Sequence, residues 1–337
     1  MIDQPLSNQR IIECLITDYG IKVNRLFLLP LGADLNSSVY KAETLDQSSY
    51  FIKLKRGHQQ DISAAIITWL HDAGIEHLIT PIKSKHGKPI HCINDFTLIV
   101  FPFIEGKDGF SCDLTDDQWF TLGKIMRQVH SIRVPLSIQG LIRREDYSPK
   151  WREAVLSLYS HMKSARTCDN VALKLIAFMK KHSAAIHRLV NRAEQLSKQI
   201  QDNNELVLCH SDLHGGNVLI EAKDIFYIVD WDDPIMAPKE RDLMFIGGGV
   251  ANVWNKQHEE EFFYNGYGKV EINQTALAYY RHERIVEDIA ILGQQLLLES
   301  MESEQNKIEA FQHFINQFDP EGVVEIAFKT DEYLKSS

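Results

Sequence analysis

Two short apolar runs separated by a turn restrict the fold of this chain more than any other feature. They are "NVLI", which starts at Asn217, and "IFYIVD", which ends at Asp230, with a turn at Glu221–Asp224. Their length and apolar content predict two strands of an antiparallel hairpin. In such a hairpin the start of the first strand lies beside the end of the second. Asn217 and Asp230 should therefore come together, and Asp212 arrives on the loop before them.

This set of polar residues favours phosphoryl transfer. Two carboxylates and one amide offer only oxygen ligands, which suit Mg²⁺. In kinases a catalytic-loop Asp aligns the attacking hydroxyl, while an Asn five residues later and a second Asp after a strand hold the metal. Asp212, Asn217 and Asp230 have that order and spacing. We predict Asp212 as the catalytic base and Asn217 and Asp230 as magnesium ligands.

The same loop, "HSDLHGGN", permits a different metal site. His210 and His214 could bind a transition metal through their imidazoles. Such a site needs one or two further ligands, and no other group of His, Cys and Asp residues in the sequence has zinc-like spacing. The structural alternative is that His210 braces the loop through hydrogen bonds and His214 packs beside it.

A kinase also needs a lysine on an early strand, where it contacts the nucleotide phosphates. Lys53 lies between apolar residues in "YFIKL". Lys55, two residues later and so on the same face of the strand, is the second candidate. The loop over the phosphates would be "LGADLNSSVY", in which Ser37 and Ser38 supply hydroxyl and N–H groups. An ordinary hairpin turn explains this loop equally well.

The segment "VFPFIEG" is the candidate hinge that contacts adenine. In such a hinge, Pro102 would present its carbonyl group to the base, and Ile104 would present its N–H group. Proline has no N–H, so it fits a position where only an acceptor is needed.

The length of 337 residues predicts two lobes. Short strands dominate the first ~110 residues and long helical segments most of the remainder. We predict an α+β fold of the bilobal protein-kinase type: an N-terminal lobe with an antiparallel sheet over residues 1–104, and a larger, mainly helical lobe over 105–337. The first would bind the nucleotide, with the hinge at its end, and the second would hold the catalytic loop and the substrate.

Composition restricts the partners and the compartment. A formal net charge of -10 disfavours nucleic acid and is compatible with a cationic ligand, although solubility alone explains it too. Five scattered cysteines indicate reduced thiols, and neither a signal peptide nor an apolar run of transmembrane length is evident. We expect a cytoplasmic protein without a membrane partner. The oligomeric state is not fixed by the sequence, and a monomer is the expectation.

The chain resembles the aminoglycoside phosphotransferases, which share the protein-kinase fold. The resemblance is carried by "LCHSDLHGGNVLI" and "YIVDWDDP", which match the pattern His-Gly-Asp-Leu-His-x-Gly-Asn followed by a strand that ends in Asp-x-Asp. It implies ATP and Mg²⁺ as cofactors and the roles given above for Asp212, Lys53 and the metal ligands. It further implies that Asp232 supports the site and that a buried Asp242 steadies the catalytic loop.

Two departures from the family pattern stand out. Ser211 replaces the usual glycine, which we expect to be harmless. The helix that should supply a glutamate partner for Lys53 has none before Trp69, so Asp61 or Ser63 is expected to substitute.

The resemblance implies spectinomycin, a compact dicationic aminocyclitol, as the substrate. Kinases of choline, homoserine or sugars are the alternatives within the class, and a degenerate kinase fold that only binds ligands is the alternative outside it. A helical run starts within about ten residues of Asp230. This leaves little room for the long activation segment on which protein kinases bind a peptide substrate.

The substrate contacts are expected on the helix "YYRHERIVEDIAILG". Glu287 or Asp288 would meet a substrate ammonium, and Trp231 and Tyr280 would stack on its rings. A solvated helix face with salt bridges explains the same charges.

Overall fold

The computed structural model describes residues 6–29, 37–57, 62–164, 169–200, 205–222, 225–248, 250–299 and 303–336. The strands are β1 Val23–Leu29, β2 Ser37–Thr44, β3 Ser49–Arg56, β4 Ile90–Ile93, β5 Phe96–Pro102, β6 Lys107–Asp108, β7 Arg143–Arg144, β8 Val207–Cys209, β9 Val218–Ala222, β10 Ile225–Ile228 and β11 Ile235–Ala237. The helices are α1 Asn8–Cys14, α2 Ile62–Asp72, α3 Asp116–Ser131, α4 Leu136–Gln139, α5 Lys150–Ser164, α6 Asn170–Lys181, α7 Ser183–Ser197, α8 Glu240–Leu243, α9 Gln257–Tyr267, α10 Gln274–Leu297, α11 Glu304–Asn316 and α12 Val323–Ser336.

The chain forms two compact units, and each is built from three separate segments. The first unit comprises Met1–Asp113, Arg133–Ile142 and Gly216–Pro234, and the second comprises Leu114–Ile132, Arg143–Gly215 and Ile235–Ser337. The division predicted between residues 104 and 105 stays a prediction.

The first unit contains a five-stranded antiparallel sheet in the order β1-β2-β3-β5-β4. Alternation along β3 sets its two faces, because successive side chains of a strand point in opposite directions. Ile52 and Leu54 are buried in the core, whereas Lys53 and Lys55 share the other face and are half-buried. The sheet thus presents two lysines side by side on one surface.

The predicted hairpin is present in the first unit. β9 and β10 pair antiparallel, with Val218 opposite Ile228, and β6 adds a third strand beside β9. Beyond the last strand pair, Val229 N donates a hydrogen bond of 2.9 Å to Asn217 O. The backbone of Asn217 is therefore fixed next to the residue that precedes Asp230.

The second unit is helical and is organised around α10. Asn273 caps this helix by accepting a hydrogen bond from Ala276 N, and its apolar residues pack in a core with α5, α6, α7, α11 and α12. In a small sheet β11 lies between β7 and β8, and β8 leads into the predicted catalytic loop.

Close packing of α3 and α9 requires glycine on both helices. A Cβ atom at Gly123 would lie 2.0 Å from Phe263 O, and one at Gly266 would lie 1.8 Å from Phe120 O. Thr115 caps α3 through a capping box with Gln118, as its position before two acidic residues predicts. None of the helices in the described ranges combines the length and apolar content that a membrane crossing needs.

Candidate active site

A buried carboxylate in the second unit anchors the predicted catalytic loop. Asp242 Oδ2 accepts a hydrogen bond of 2.8 Å from His210 N, and Oδ1 accepts one of 2.7 Å from Ser211 N. His130 Nε2 lies 3.0 Å from Oδ2, and its Nδ1 lies 2.8 Å from Tyr267 Oη. Burial would raise the pKa of Asp242, but the hydrogen bond and charge of His130 outweigh it and hold the pKa below its usual range.

Ser211 has a left-handed backbone, with φ at 73°. This conformation is favourable for glycine and costs other residues about 1–2 kcal/mol, because Cβ crowds the following carbonyl oxygen. The side chain is also buried. Serine therefore adopts here the φ angle that glycine adopts most easily, and the expectation that the replacement is harmless stays a prediction.

Both oxygens of the predicted catalytic base are occupied within the second unit. Asp212 Oδ1 accepts a hydrogen bond of 2.5 Å from Arg284 Nη1, and Oδ2 lies 3.3 Å from His214 Nε2. Burial would raise the pKa of Asp212, but the hydrogen bond from His214 and the positive charge of Arg284 hold it well below its usual range. The Asp212 carboxylate is therefore charged at neutral pH.

The two loop histidines have separate contacts. His210 is buried, and its Nδ1 accepts a hydrogen bond of 3.3 Å from Asp212 N. The ring of His214 contacts Phe245 edge-on at a centroid distance of 6.3 Å. Among the described residues, two groups have metal-like spacing of their ligand atoms, and neither includes His210 or His214. The zinc alternative thus lacks the further ligands that it needs.

Lys53 forms two ion pairs in the first unit. Its Nζ lies 2.7 Å from Asp230 Oδ1 and 2.5 Å from Asp232 Oδ2. Burial would lower the pKa of Lys53, but the charges of these two carboxylates raise it. Asp232 Oδ1 also lies 2.9 Å from Lys55 Nζ, so one carboxylate bridges both lysines.

These pairs give Lys53 carboxylate partners that the sequence did not predict. Both carboxylates follow the end of β10, whereas the sequence pointed to the helix. Ser63 is buried on α2, and Asp61 lies outside the described residues. The strand-end "DWD" was visible in the sequence, but only the three-dimensional fold brings it to β3.

The oxygen atoms near the end of the hairpin fit a magnesium ion. The hydrogen bond between Val229 and Asn217 brings an amide next to the segment that carries Asp230 and Asp232. Asp230 has a left-handed backbone, with φ at 62°, and its side chain is partly exposed. Carboxylate and amide oxygens without nitrogen or sulfur ligands are what a hard cation prefers.

The other predicted nucleotide contacts lie on the sheet of the first unit. Ser37 and Ser38 begin β2, opposite Lys55 and Leu54 of β3. The Ser37 hydroxyl is buried and has no hydrogen-bond partner within the described residues. The first part of that loop, 31–36, lies outside the described residues.

The predicted hinge follows directly from the same sheet. Pro102 is the last residue of β5 and lies opposite Tyr50. Ile104 follows two residues later and is half-buried. Their predicted contacts with adenine stay predictions.

Two of the four predicted substrate contacts are core residues. Trp231 and Tyr280 are each 1% exposed, and Trp231 Nε1 donates to Ile228 O at 3.3 Å. Neither ring has a face free to stack on a ligand, so this burial argues against both predicted contacts. Glu287 and Asp288 remain half-buried, and each faces an arginine: Arg241 at 4.0 Å and Arg284 at 3.0 Å.

Arg284 is the residue of this site that sequence reasoning missed. Its pairing with Asp288 follows from their i, i+4 spacing on α10. Its contact with Asp212 joins positions 72 residues apart, and no local pattern signals it.

The fold and the loop geometry define a phosphotransferase of the kinase-like class. Residues 28–267 match the phosphotransferase enzyme family (APH), and the chain belongs to that family. The predicted fold class is thereby confirmed.

Solved structures similar to this chain include two of one enzyme. Spectinomycin phosphotransferase APH(9)-Ia, in complex with ADP and spectinomycin, is 49% identical, with 97% of this chain and 99% of that chain covered and a TM-score of 0.91. The AMP-bound complex of the same enzyme is 47% identical, with 96% and 99% covered and a TM-score of 0.87. An amicoumacin kinase is 17% identical over 94% of this chain and 95% of its own, with a TM-score of 0.63, and shares the fold.

One curated protein is similar in sequence. Protein StrN of Streptomyces griseus is 23% identical over 187 residues, which cover 51% of this chain and 55% of StrN. The match thus spans about half the length of that relative.

Proposed function

We propose that this protein transfers the γ-phosphate of ATP to a hydroxyl group of spectinomycin. The observation that carries the proposal is the near full-length similarity, at 49% identity, to a spectinomycin phosphotransferase crystallised with ADP and spectinomycin. The ion pair of Lys53 with Asp230 in the first unit and the charged carboxylate of Asp212 in the second unit each support phosphoryl transfer independently. The reaction would inactivate an antibiotic, so the protein would confer resistance.

Asp212 would align the substrate hydroxyl. Its charged carboxylate is a hydrogen-bond acceptor with roughly four lone-pair positions, and Arg284 and His214 are among its neighbours. A carboxylate with a low pKa is a poor proton acceptor before the bond to phosphorus forms. It suits a loose transition state, in which positioning and charge stabilisation supply most of the rate and the proton leaves late.

The lysine pair would serve the nucleotide. Lys53 and Lys55 present two ammonium groups on one face of the sheet, and Asp232 keeps both in place. Their charges suit triphosphate oxygens. Asn217 and Asp230 would hold Mg²⁺, which when bound neutralises charge on the phosphate groups.

The two acidic residues of α10 would select a cationic substrate. Glu287 and Asp288 are half-buried carboxylates near the helix turn that carries Arg284. Burial raises the pKa of each, partly offset by the neighbouring arginines. An additional ammonium group from the substrate would stabilise their charged forms. A compact, rigid aminocyclitol would lose little entropy on binding.

A substrate panel tests the activity. Purified protein with Mg²⁺ and ATP should release ADP when spectinomycin is added, and much less with choline, homoserine, simple sugars or kanamycin. Asp212→Asn should lose most turnover, about 10²–10⁴-fold, because alignment or proton acceptance is lost. Nucleotide affinity should change little. Efficient turnover of choline or kanamycin without spectinomycin would preserve the reaction class and refute the substrate, and absence of turnover with every acceptor would favour a binding module.

A separate measurement tests the metal assignment. Asp230→Ala should abolish metal-dependent nucleotide binding in titration calorimetry, while nucleotide binding without metal stays weak in both proteins. Elemental analysis of active enzyme should find no stoichiometric zinc. Zinc bound one to one and needed for turnover would instead support the site at His210 and His214.

A further inference from the structure

Arg284 contacts the candidate catalytic carboxylate directly. Its Nη1 donates to Asp212 Oδ1 at 2.5 Å, and its Nε donates to Asp288 Oδ1 at 3.0 Å. The guanidinium carbon lies 5.7 Å from the centre of the Phe245 ring. The side chain is only 16% exposed, so its orientation is fixed on three sides.

We propose that Arg284 is a positioning residue, which holds the Asp212 carboxylate in the orientation that receives the substrate hydroxyl. This inference rests on the proposed function, because it assigns that alignment to Asp212. Arg284 donates to Oδ1, and His214 approaches Oδ2 at 3.3 Å, so both oxygens of the carboxylate have fixed neighbours in the second unit.

The loop and Arg284 contact the Asp212 side chain at different oxygens. Asp242 fixes the backbone of the loop through residues 210 and 211, and His214 of the loop approaches Oδ2 at 3.3 Å, whereas Arg284 donates a shorter hydrogen bond of 2.5 Å to Oδ1 of this 38% exposed side chain. A planar guanidinium that is itself fixed by Asp288 and Phe245 limits the rotation of that side chain. Lysine would offer a flexible point charge without the same directionality.

The balance of charges supports the same positioning role for Arg284. Asp212 and Asp288 are two carboxylates that share one cation, since both pair with Arg284. Without it they would repel each other in a partly buried site, and Asp212 would rotate away or bind a proton. Arg241, the other arginine of this region, lies 4.0 Å from Glu287 and gives Asp212 no direct ion pair within the described contacts.

Three variants of the protein test the inference. Arg284→Ala should lower kcat about 10²-fold, the loss expected when a catalytic group is displaced by about 1 Å. The KM for ATP should stay within a factor of about two, because no nucleotide contact is assigned to Arg284. Arg284→Lys should recover part of kcat. Asp288→Asn should lower kcat in the same direction but less, since it frees only one side of the guanidinium.

Arg192→Ala is the matched control. Arg192 is likewise a mostly buried arginine of the second unit, paired with Asp331 at 2.6 Å. Its loss should lower the melting temperature and leave kcat unchanged at a temperature where the variant is folded. Millimolar guanidinium ion should raise kcat of Arg284→Ala and have no such effect on the control.

The outcomes separate the two proposals. If the wild-type protein phosphorylates a different acceptor of the panel, the proposed substrate fails, and the same variants are measured with that acceptor. If no acceptor is phosphorylated, both proposals fail. A folded Arg284→Ala enzyme with wild-type or higher kcat overturns the positioning role alone, as does an equal loss in Arg192→Ala. If Arg284→Ala does not fold, Arg284→Lys decides: wild-type kcat together with normal stability overturns the role.

Discussion

Replacement of Asp242 by asparagine should damage both stability and catalysis, and the structure gives the size of each effect. Three groups meet this carboxylate: His210 N, Ser211 N and His130 Nε2. An asparagine side chain keeps one acceptor oxygen and places an NH₂ group at the other position. If the oxygen faces Ser211 N, the amide nitrogen faces the N–H of His210, and two donors then oppose each other in a fully buried site.

The expected loss of stability is about 3 kcal/mol. A hydrogen bond to a charged group contributes about 1.5–3 kcal/mol, and a buried donor left without an acceptor costs about 1–3 kcal/mol. For a unit of this size each kcal/mol lowers Tm by about 2–4 °C, so a fall of about 6–12 °C is expected. Differential scanning fluorimetry at pH 7.5 measures it.

The loss of kcat should be observed in protein that is still folded. Loss of the anchor frees the backbone that carries Asp212, and a shift of about 1 Å costs about 10²-fold in kcat. Asp331→Asn is the control, because Asp331 is also a buried aspartate with a cationic partner, Arg192, and lies on α12. Both variants should lose stability. Equal kcat values for Asp242→Asn and Asp331→Asn, measured well below the Tm of each variant, would refute the claim that Asp242 positions the loop.

Three further predictions concern separate features of the site. Ser211→Gly should raise the free energy of unfolding by up to about 1 kcal/mol in urea titration, because it removes left-handed strain at a modest cost in unfolded-state entropy. Burial raises the pKa of Glu283 from 4.5 to about 7, so its contribution to stability is complete below pH 4.5 and is lost as the pH rises through 7. Glu283→Gln should therefore reduce the fall in Tm between pH 5 and pH 8, a fall that corresponds to about 3 kcal/mol in the wild type; an unchanged slope would contradict the assignment. Asp232→Asn should raise the KM for ATP several-fold with a smaller change in kcat, because Lys53 and Lys55 lose their shared partner; an unchanged KM in steady-state kinetics would show that neither lysine needs it.

The hairpin could be predicted from the sequence because its signals are local. Two short apolar runs and a polar turn determine that the strands pair, and strand pairing fixes which ends meet. Asn217 and the segment ending at Asp230 come together for that reason, and the same argument places Lys53 and Lys55 on one face of β3.

Contacts between distant segments could not be predicted in this way. Asp232 reaches Lys53 across 179 positions of the chain, and Arg284 reaches Asp212 across 72. Burial of Trp231 and Tyr280 was missed for the same reason, since an aromatic side chain beside a catalytic loop suits either a core or a binding surface. The left-handed backbone of Ser211 had one sequence signal, the glycine of the family pattern.

Identification of the reaction product tests the central claim most directly. Wild-type protein is incubated with Mg²⁺, ATP and spectinomycin, and the product is purified and analysed by ³¹P nuclear magnetic resonance and mass spectrometry. We predict one phosphate monoester of spectinomycin, formed in an amount equal to the ADP released, and almost none with Asp212→Asn. Release of inorganic phosphate without an ester, or equal ester formation by the Asp212→Asn variant, would contradict the account.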